Sequence, residues 1–167
     1  MTNPLIGLEG LPPFSQIKPE HIVPALKQGI ADCKQTIEQV LAQESYTWDN
    51  FIVPLDEVDD KLTRLWSPVS HMHSVVNSEE LRAAYDECLP LISEYSTFVG
   101  QHQGLFLATK AIAESDDFAN LSEAQQKAIN NSLRDFKLSG IALPEEKQKR
   151  YGEIVARLSE LPAEFGD

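Results

Sequence analysis

Two of the chain's four histidines, His71 and His73, stand one residue apart in Ser67-Pro-Val-Ser-His-Met-His-Ser74. Imidazole is a common zinc ligand, so a His-x-His in an acidic protein raises the question of a metal centre. The answer depends on the backbone between them. Val69, Met72 and Val76 step by three and four, so the stretch reads as helix with Met72 on its apolar face. Each residue turns a helix by about 100°, which sends the two imidazoles about 160° apart around the axis. A helical two-histidine site uses i,i+4 spacing, as in H-E-x-x-H, and that spacing is absent here. The pair reads as two boundary histidines flanking a core methionine.

The remaining candidates for chemistry are weaker. His21 stands in the first turn of a helix beside Glu20, with no other ligand-type residue in its run. His102 continues an apolar stripe between Val99 and Phe106 and is expected to be a satisfied core histidine. Cys33 and Cys88 also fall on apolar stripes, where a thiol behaves as a small hydrophobe rather than a nucleophile. The chain has neither the Gly-x-Ser-x-Gly of a serine hydrolase nor a phosphate-cradling glycine motif. Asp56, Glu57, Asp59 and Asp60 are the densest acidic run, but Val58 among them belongs to a core stripe, so the acids read as a solvated face. A di-metal carboxylate bundle would need Glu-x-x-His motifs, and none occurs. The expectation is that this chain carries no catalytic, cofactor-binding or metal-ligating residue.

Such side chains are positioned by helices. Residues 1–17 are rich in Pro and Gly and read as an extended lead-in, before a helical domain over 18–167. The first helix opens at Pro19, where a missing N–H matters little, and buries Ile22, Leu26, Ile30, Cys33, Ile37 and Val40. Pro24 should kink or restart it. Thr47 caps a second helix with the stripe Phe51, Leu55, Val58, Leu62, Leu65, Val69, Met72, Val76, with Pro54 early in it and a kink expected at Pro68. Asn77 with Glu80 reads as a capping box for a third, running Leu81, Tyr85, Cys88, Ile92, Tyr95, Val99, His102, Phe106, bent at Pro90. Ser122 with Gln125 opens a fourth through Ile129, Leu133 and Phe136, which Gly140 ends in a left-handed conformation. Pro144 starts a fifth with the stripe Leu143, Tyr151, Ile154, Leu158, Leu161, Phe165. Strands are absent or minor, because no stretch sustains period-two alternation. The expected fold is all-α: about five mostly antiparallel helices, some kinked at prolines. The last stripe is still apolar near Asp167, which suits either a piece of a longer protein or a helix docking at its natural end.

Bulk properties narrow the function. The 167 residues are enough for one domain with a real core. A net charge of −12, from 26 acidic against 14 basic residues, repels phosphate backbones and anionic lipid surfaces. Nucleic acid and membrane are therefore not expected partners. The two cysteines form no Cys-x-x-Cys, and MTNPLIGLEGLPPF has no basic segment leading an apolar run, so a reducing cytoplasm is expected.

Four segments, taken in order, resemble one family. They are LPPFSQIKPEHIVPAL (11–26), YTWDNFIVPLDEVDDKL (46–62), SPVSHMHSVVNSEELRAAYDECLPLISEYST (67–97) and LRDFKLSGIALPEEKQKRYGEIVARLSEL (133–161). Together they are similar to the N-terminal helical region of the thimet-oligopeptidase family of zinc metallopeptidases, most closely its bacterial members. The resemblance implies a cytoplasmic endopeptidase for short peptides, in which this region walls one side of a narrow channel that excludes folded proteins. It also implies that zinc and its H-E-x-x-H helix lie downstream, in a missing C-terminal catalytic domain, so no catalytic or metal residue carries over to this chain. Two places depart from the pattern: relatives read Ser-His-Leu-Asn where this chain has Ser-His-Met-His, and the tail LPAEFGD differs. The alternative expectation is a stand-alone helical module that binds a protein or peptide without enzymatic activity.

Overall fold

The computed structural model describes residues 3–76 and 78–166, and among these it forms six α-helices and no strand. The all-α class is as the periodicity predicts. The first helix, α1 (Pro19–Leu41), begins at its proline and passes through Pro24 without a break. Its inward face is the expected one, with Ile22, Leu26, Cys33, Ile37 and Val40 buried. Thr47 is again an N-cap: its side chain accepts from Asn50 N–H at 3.1 Å, while Asn50 Oδ1 accepts from Thr47 N–H at 2.7 Å. That box opens a single π-helical turn, Trp48–Ile52, leading directly into α2 (Val53–Val75). α2 is also unbroken at Pro68, which is buried.

α3 (Glu79–Gly100) is capped by Ser78, whose hydroxyl accepts from Leu81 N–H at 3.2 Å. The cap expected at Asn77 lies outside the described residues. The stripe from Leu81 to Phe106 is two helices, because α3 stops at Gly100 and α4 spans Gln103–Ala113. At Gly100 a Cβ would stand 2.7 Å from Ser139 Cβ, so the close approach of the segment around Ser139, far along the chain, needs glycine there. His102 then leaves helical conformation, and its Nδ1 accepts from Leu105 N–H at 3.3 Å. His102 is an N-cap, half-buried, rather than a core histidine. The periodicity hid this because Val99 and Phe106 are seven residues apart, the spacing that one continuous helix would give them.

α5 (Glu123–Leu138) has the predicted Ser122–Gln125 capping box. Gly140, at φ +85°, ends it as expected. α6 (Glu145–Gly166) starts one residue after Pro144, whose carbonyl accepts from the N–H groups of Lys147 and Gln148.

Two apolar clusters hold these helices, and α1 runs through both. One gathers Ile22, Leu26, Leu65, Val69, Leu81 and Cys88 with Leu5 and Ile17 from the irregular segment before α1. The other gathers Ile37, Val40, Phe51, Leu105, Ile112 and Ile129. Burying each large apolar side chain is worth roughly 1.5–3 kcal/mol. Among the described residues, none from α6 joins either cluster. The helix lies along the side of α3, and Ile154, Leu158, Leu161 and Phe165 of its stripe are exposed.

Candidate functional site

α2 and α3 each pack along α1 but make far less contact with one another. Where they meet, Tyr85 of α3 is stacked against two rings of α2, Trp66 at 5.1 Å and His73 at 3.9 Å between centroids. Beside that stack lies a groove of about 760 Å³, with Leu26 and Ile30 of α1 as its apolar floor. Half of its α2 wall is hydroxyl: Thr63, Ser67, Ser70 and Ser74 recur at helical spacing on one face, with His71 beside Ser70. The α3 wall contributes Ile92, Tyr95, Ser96 and Val99, and Ser139 closes the groove against Gly100.

Polar side chains behind the groove are paired. The Tyr95 hydroxyl hydrogen-bonds the Cys33 sulfur, and Cys33 Sγ in turn donates to Val58 O at 3.7 Å. Burial pushes both the Cys33 thiol and the Tyr95 phenol above their ordinary values, so each stays protonated near neutral pH. Cys88, packed in the α1–α2–α3 core, is pushed up to about 11 by burial and then by Glu87. These thiols are the inert core residues that their stripes predict. Ser93 Oγ of α3 is buried without a hydrogen-bond partner.

One acidic residue reaches the groove. Asp59 lines it, one turn along α2 from Asp56. Partial burial, and secondarily Asp59, hold the Asp56 carboxyl above its usual value. Asp60 is engaged elsewhere, with Arg64 Nε 2.6 Å from its Oδ2 in an exposed i,i+4 pair.

The histidines are dispersed. His73 stacks on Tyr85, while His71 turns toward Phe14 of the lead-in segment, 5.8 Å between ring centroids. His21 Nδ1 accepts from Lys18 N–H at 3.1 Å at the start of α1. Among the described residues no group of three or more His, Cys, Asp and Glu could hold a metal ion. The described residues therefore do not fit the zinc that the family resemblance implies. No helix among the described residues is long and apolar enough to cross a membrane. The groove itself escaped the sequence reading. Its one legible signal is the row Thr63, Ser67, Ser70, Ser74, small hydroxyls where an exposed helix face would ordinarily carry charge.

Comparison with known proteins supplies a context for this architecture. Residues 25–148 match the family described as Neurolysin/Thimet oligopeptidase, N-terminal domain. The whole chain is 65% identical to Oligopeptidase A of Haemophilus influenzae and covers 24% of that protein. It is 56% identical to Oligopeptidase A of Escherichia coli, covering 25% of it. Over 99% of the chain it is 30% identical to an organellar oligopeptidase A of Arabidopsis thaliana, covering 21%. The chain thus spans about a quarter of the length of these curated relatives. It belongs to the neurolysin/thimet oligopeptidase family and corresponds to that family's N-terminal domain.

Proposed function

We propose that this chain is the non-catalytic N-terminal domain of a cytoplasmic, zinc-dependent oligopeptidase, and that it walls one side of the channel admitting short peptides. Residues 18–167 form the working helical body, with 1–17 as a lead-in. Zinc and the hydrolytic groups belong to sequence outside this chain, in a C-terminal catalytic domain that is its partner. One observation carries the reading: a chain matching oligopeptidases A from end to end covers only about a quarter of their length and brings no metal-binding cluster among its described residues. The exposed apolar face of α6 agrees with it, since a surface meeting another domain is expected to be apolar.

The test uses the purified 167-residue chain. Elemental analysis should find no stoichiometric zinc, and an internally quenched peptide should remain uncleaved with or without added zinc. Zinc-dependent hydrolysis by this chain alone would overturn the reading. The reading frame offers a second check. Continuation beyond codon 167 to an H-E-x-x-H supports the peptidase, whereas a stop codon directly after Asp167 supports a free-standing binding module.

A further inference from the structure

Resting on the peptide-handling reading above, the geometry points to the α2–α3 groove as a subsite that holds a short extended peptide and selects a cationic side chain at its Asp59 end. Four observations converge on that ligand. The groove's volume, about 760 Å³, falls within the usual range for a built ligand pocket. Its length is that of a peptide: from Asp59 to Ser74 α2 rises about 22 Å, which six or seven extended residues span at ~3.3 Å each.

Its walls suit a peptide backbone. A serine or threonine hydroxyl both donates and accepts, so Thr63, Ser67 and Ser70 serve the N–H and C=O groups of an extended chain alike, while Ser74, whose Oγ donates to Ser70 O at 3.0 Å, is left to accept. Leu26 and Ile30 on the floor offer apolar contact to side chains pointing down.

Its charge is one-sided. No lysine or arginine lines the groove, and no ion pair forms to Asp56 or Asp59 among the described residues. Like charges one helical turn apart are mutually unfavourable, and Asp59 adds to the partial burial that raises the Asp56 carboxyl. A lysine or arginine arriving beside Asp59 relieves that repulsion. A chain of net charge −12 also attracts a cationic peptide and repels an acidic one.

The groove contains its own reporter. Trp66 lines it and is one of only two tryptophans, so Trp48→Phe leaves Trp66 as the sole indole. This variant is titrated with a capped heptapeptide of alanine and leucine carrying one lysine, and with the same peptide carrying glutamate instead. The expected result is a saturable change in Trp66 emission, with the glutamate peptide binding at least fivefold more weakly. Asp59→Asn should bring that ratio below about two while binding persists. Ser70→Phe should fill the groove and abolish binding of both peptides with helicity unchanged by circular dichroism. If Ser70→Phe does not fold, Ser96→Leu on the opposite wall takes its place. Absence of saturable binding, equal affinity for the two peptides, or an Asp59→Asn variant that keeps the preference each overturns the proposal. So does self-association that disappears in Ser70→Phe without peptide binding, which makes a second copy the occupant. The two readings fail separately. A flat titration beside a zinc-dependent parent peptidase removes only the groove, whereas charge-selective binding without a parent peptidase leaves the groove standing.

Discussion

α2 and α6 differ in length by one residue, and each carries apolar side chains three and four positions apart along one face. Their environments are opposite. Phe51, in the turn leading into α2, and Val69 on α2 are both 0% exposed. On α6, Leu158 is 60% and Phe165 95% exposed. α6 meets α3 through a different strip, where Gly152, Val155, Ala156 and Ser159 are half-buried. Glutamines lock the near end: Gln101 Nε2 donates to Ser139 O at 3.0 Å, and Gln148 Nε2 to Ile141 O at 3.1 Å. The Arg150–Glu153 and Arg157–Glu160 pairs add support along the solvent side, though each exposed pair is worth only a few tenths of a kcal/mol. Period 3.6 determines which side chains share a face. Which face meets the protein is decided by what lies opposite, and against α3 it is the small residues that fit.

The largest expected effect tests that contrast directly. Leu65→Ala removes a side chain from the packed α1–α2–α3 core and should lower unfolding stability by about 2–5 kcal/mol. Leu158→Ala, on the outer face of α6, should stay within about 0.5 kcal/mol. Urea unfolding of both variants, repeated at two protein concentrations, is the measurement. A loss above about 2 kcal/mol in Leu158→Ala would show that the α6 face is covered after all, and the contrast would collapse.

A smaller effect separates the two sides of α3 by pH. Cys88 sits on the side facing α1, and its folded value is raised from 9.0 to about 11. The unfolded thiol releases its proton near pH 9, while the folded one holds it until about pH 11. The stabilisation is therefore complete below pH 9, declines from pH 9 to 11, and is gone above that. Two pKa units correspond to about 2–3 kcal/mol. Cys33 and Tyr95 are raised as well and act in the same direction. Stability measured against pH should fall across this window, and Cys88→Ala should flatten the slope apart from its constant cavity cost. Leu158→Ala should leave the slope as it is; an altered slope there would tie the outer face to the core.

Legibility in the sequence divides along the same line. The buried faces of α1 and α2 are legible because each alternates with polar residues and lies against a continuous core. The caps at Thr47 and Ser122 are legible because their partners sit three residues on in sequence. The break at His102 is not, since histidine there does a capping job that an apolar stripe disguises. The separation of His71 from His73 comes from helix geometry alone, and the structure sends their rings to Phe14 and Tyr85. The groove is out of reach. It exists because α2 and α3 both lean on α1 rather than on each other, a relation between three helices that no single stripe encodes.

The smallest effect probes the two glycines that shape the outer edge of α3. A Cβ at Gly100 would lie 2.7 Å from both Cβ and Oγ of Ser139, so the loop after α5 must shift to admit it. Gly100→Ala should lower stability by about 1–3 kcal/mol through overpacking, partly offset by the better helix propensity of alanine. At Gly152 the nearest atom to a new Cβ is Thr97 Cγ2 at 3.4 Å, an ordinary van der Waals distance. There the propensity gain meets little resistance, and Gly152→Ala should be neutral or stabilising by up to about 1 kcal/mol. Opposite signs in thermal unfolding would show that α6 rests on α3 with slack along its length and tightly only at the Gly100–Ser139 corner. Equal losses would mean that the small-residue strip is packed as closely as the core face of α2, and that α6 is fixed in place by this chain alone.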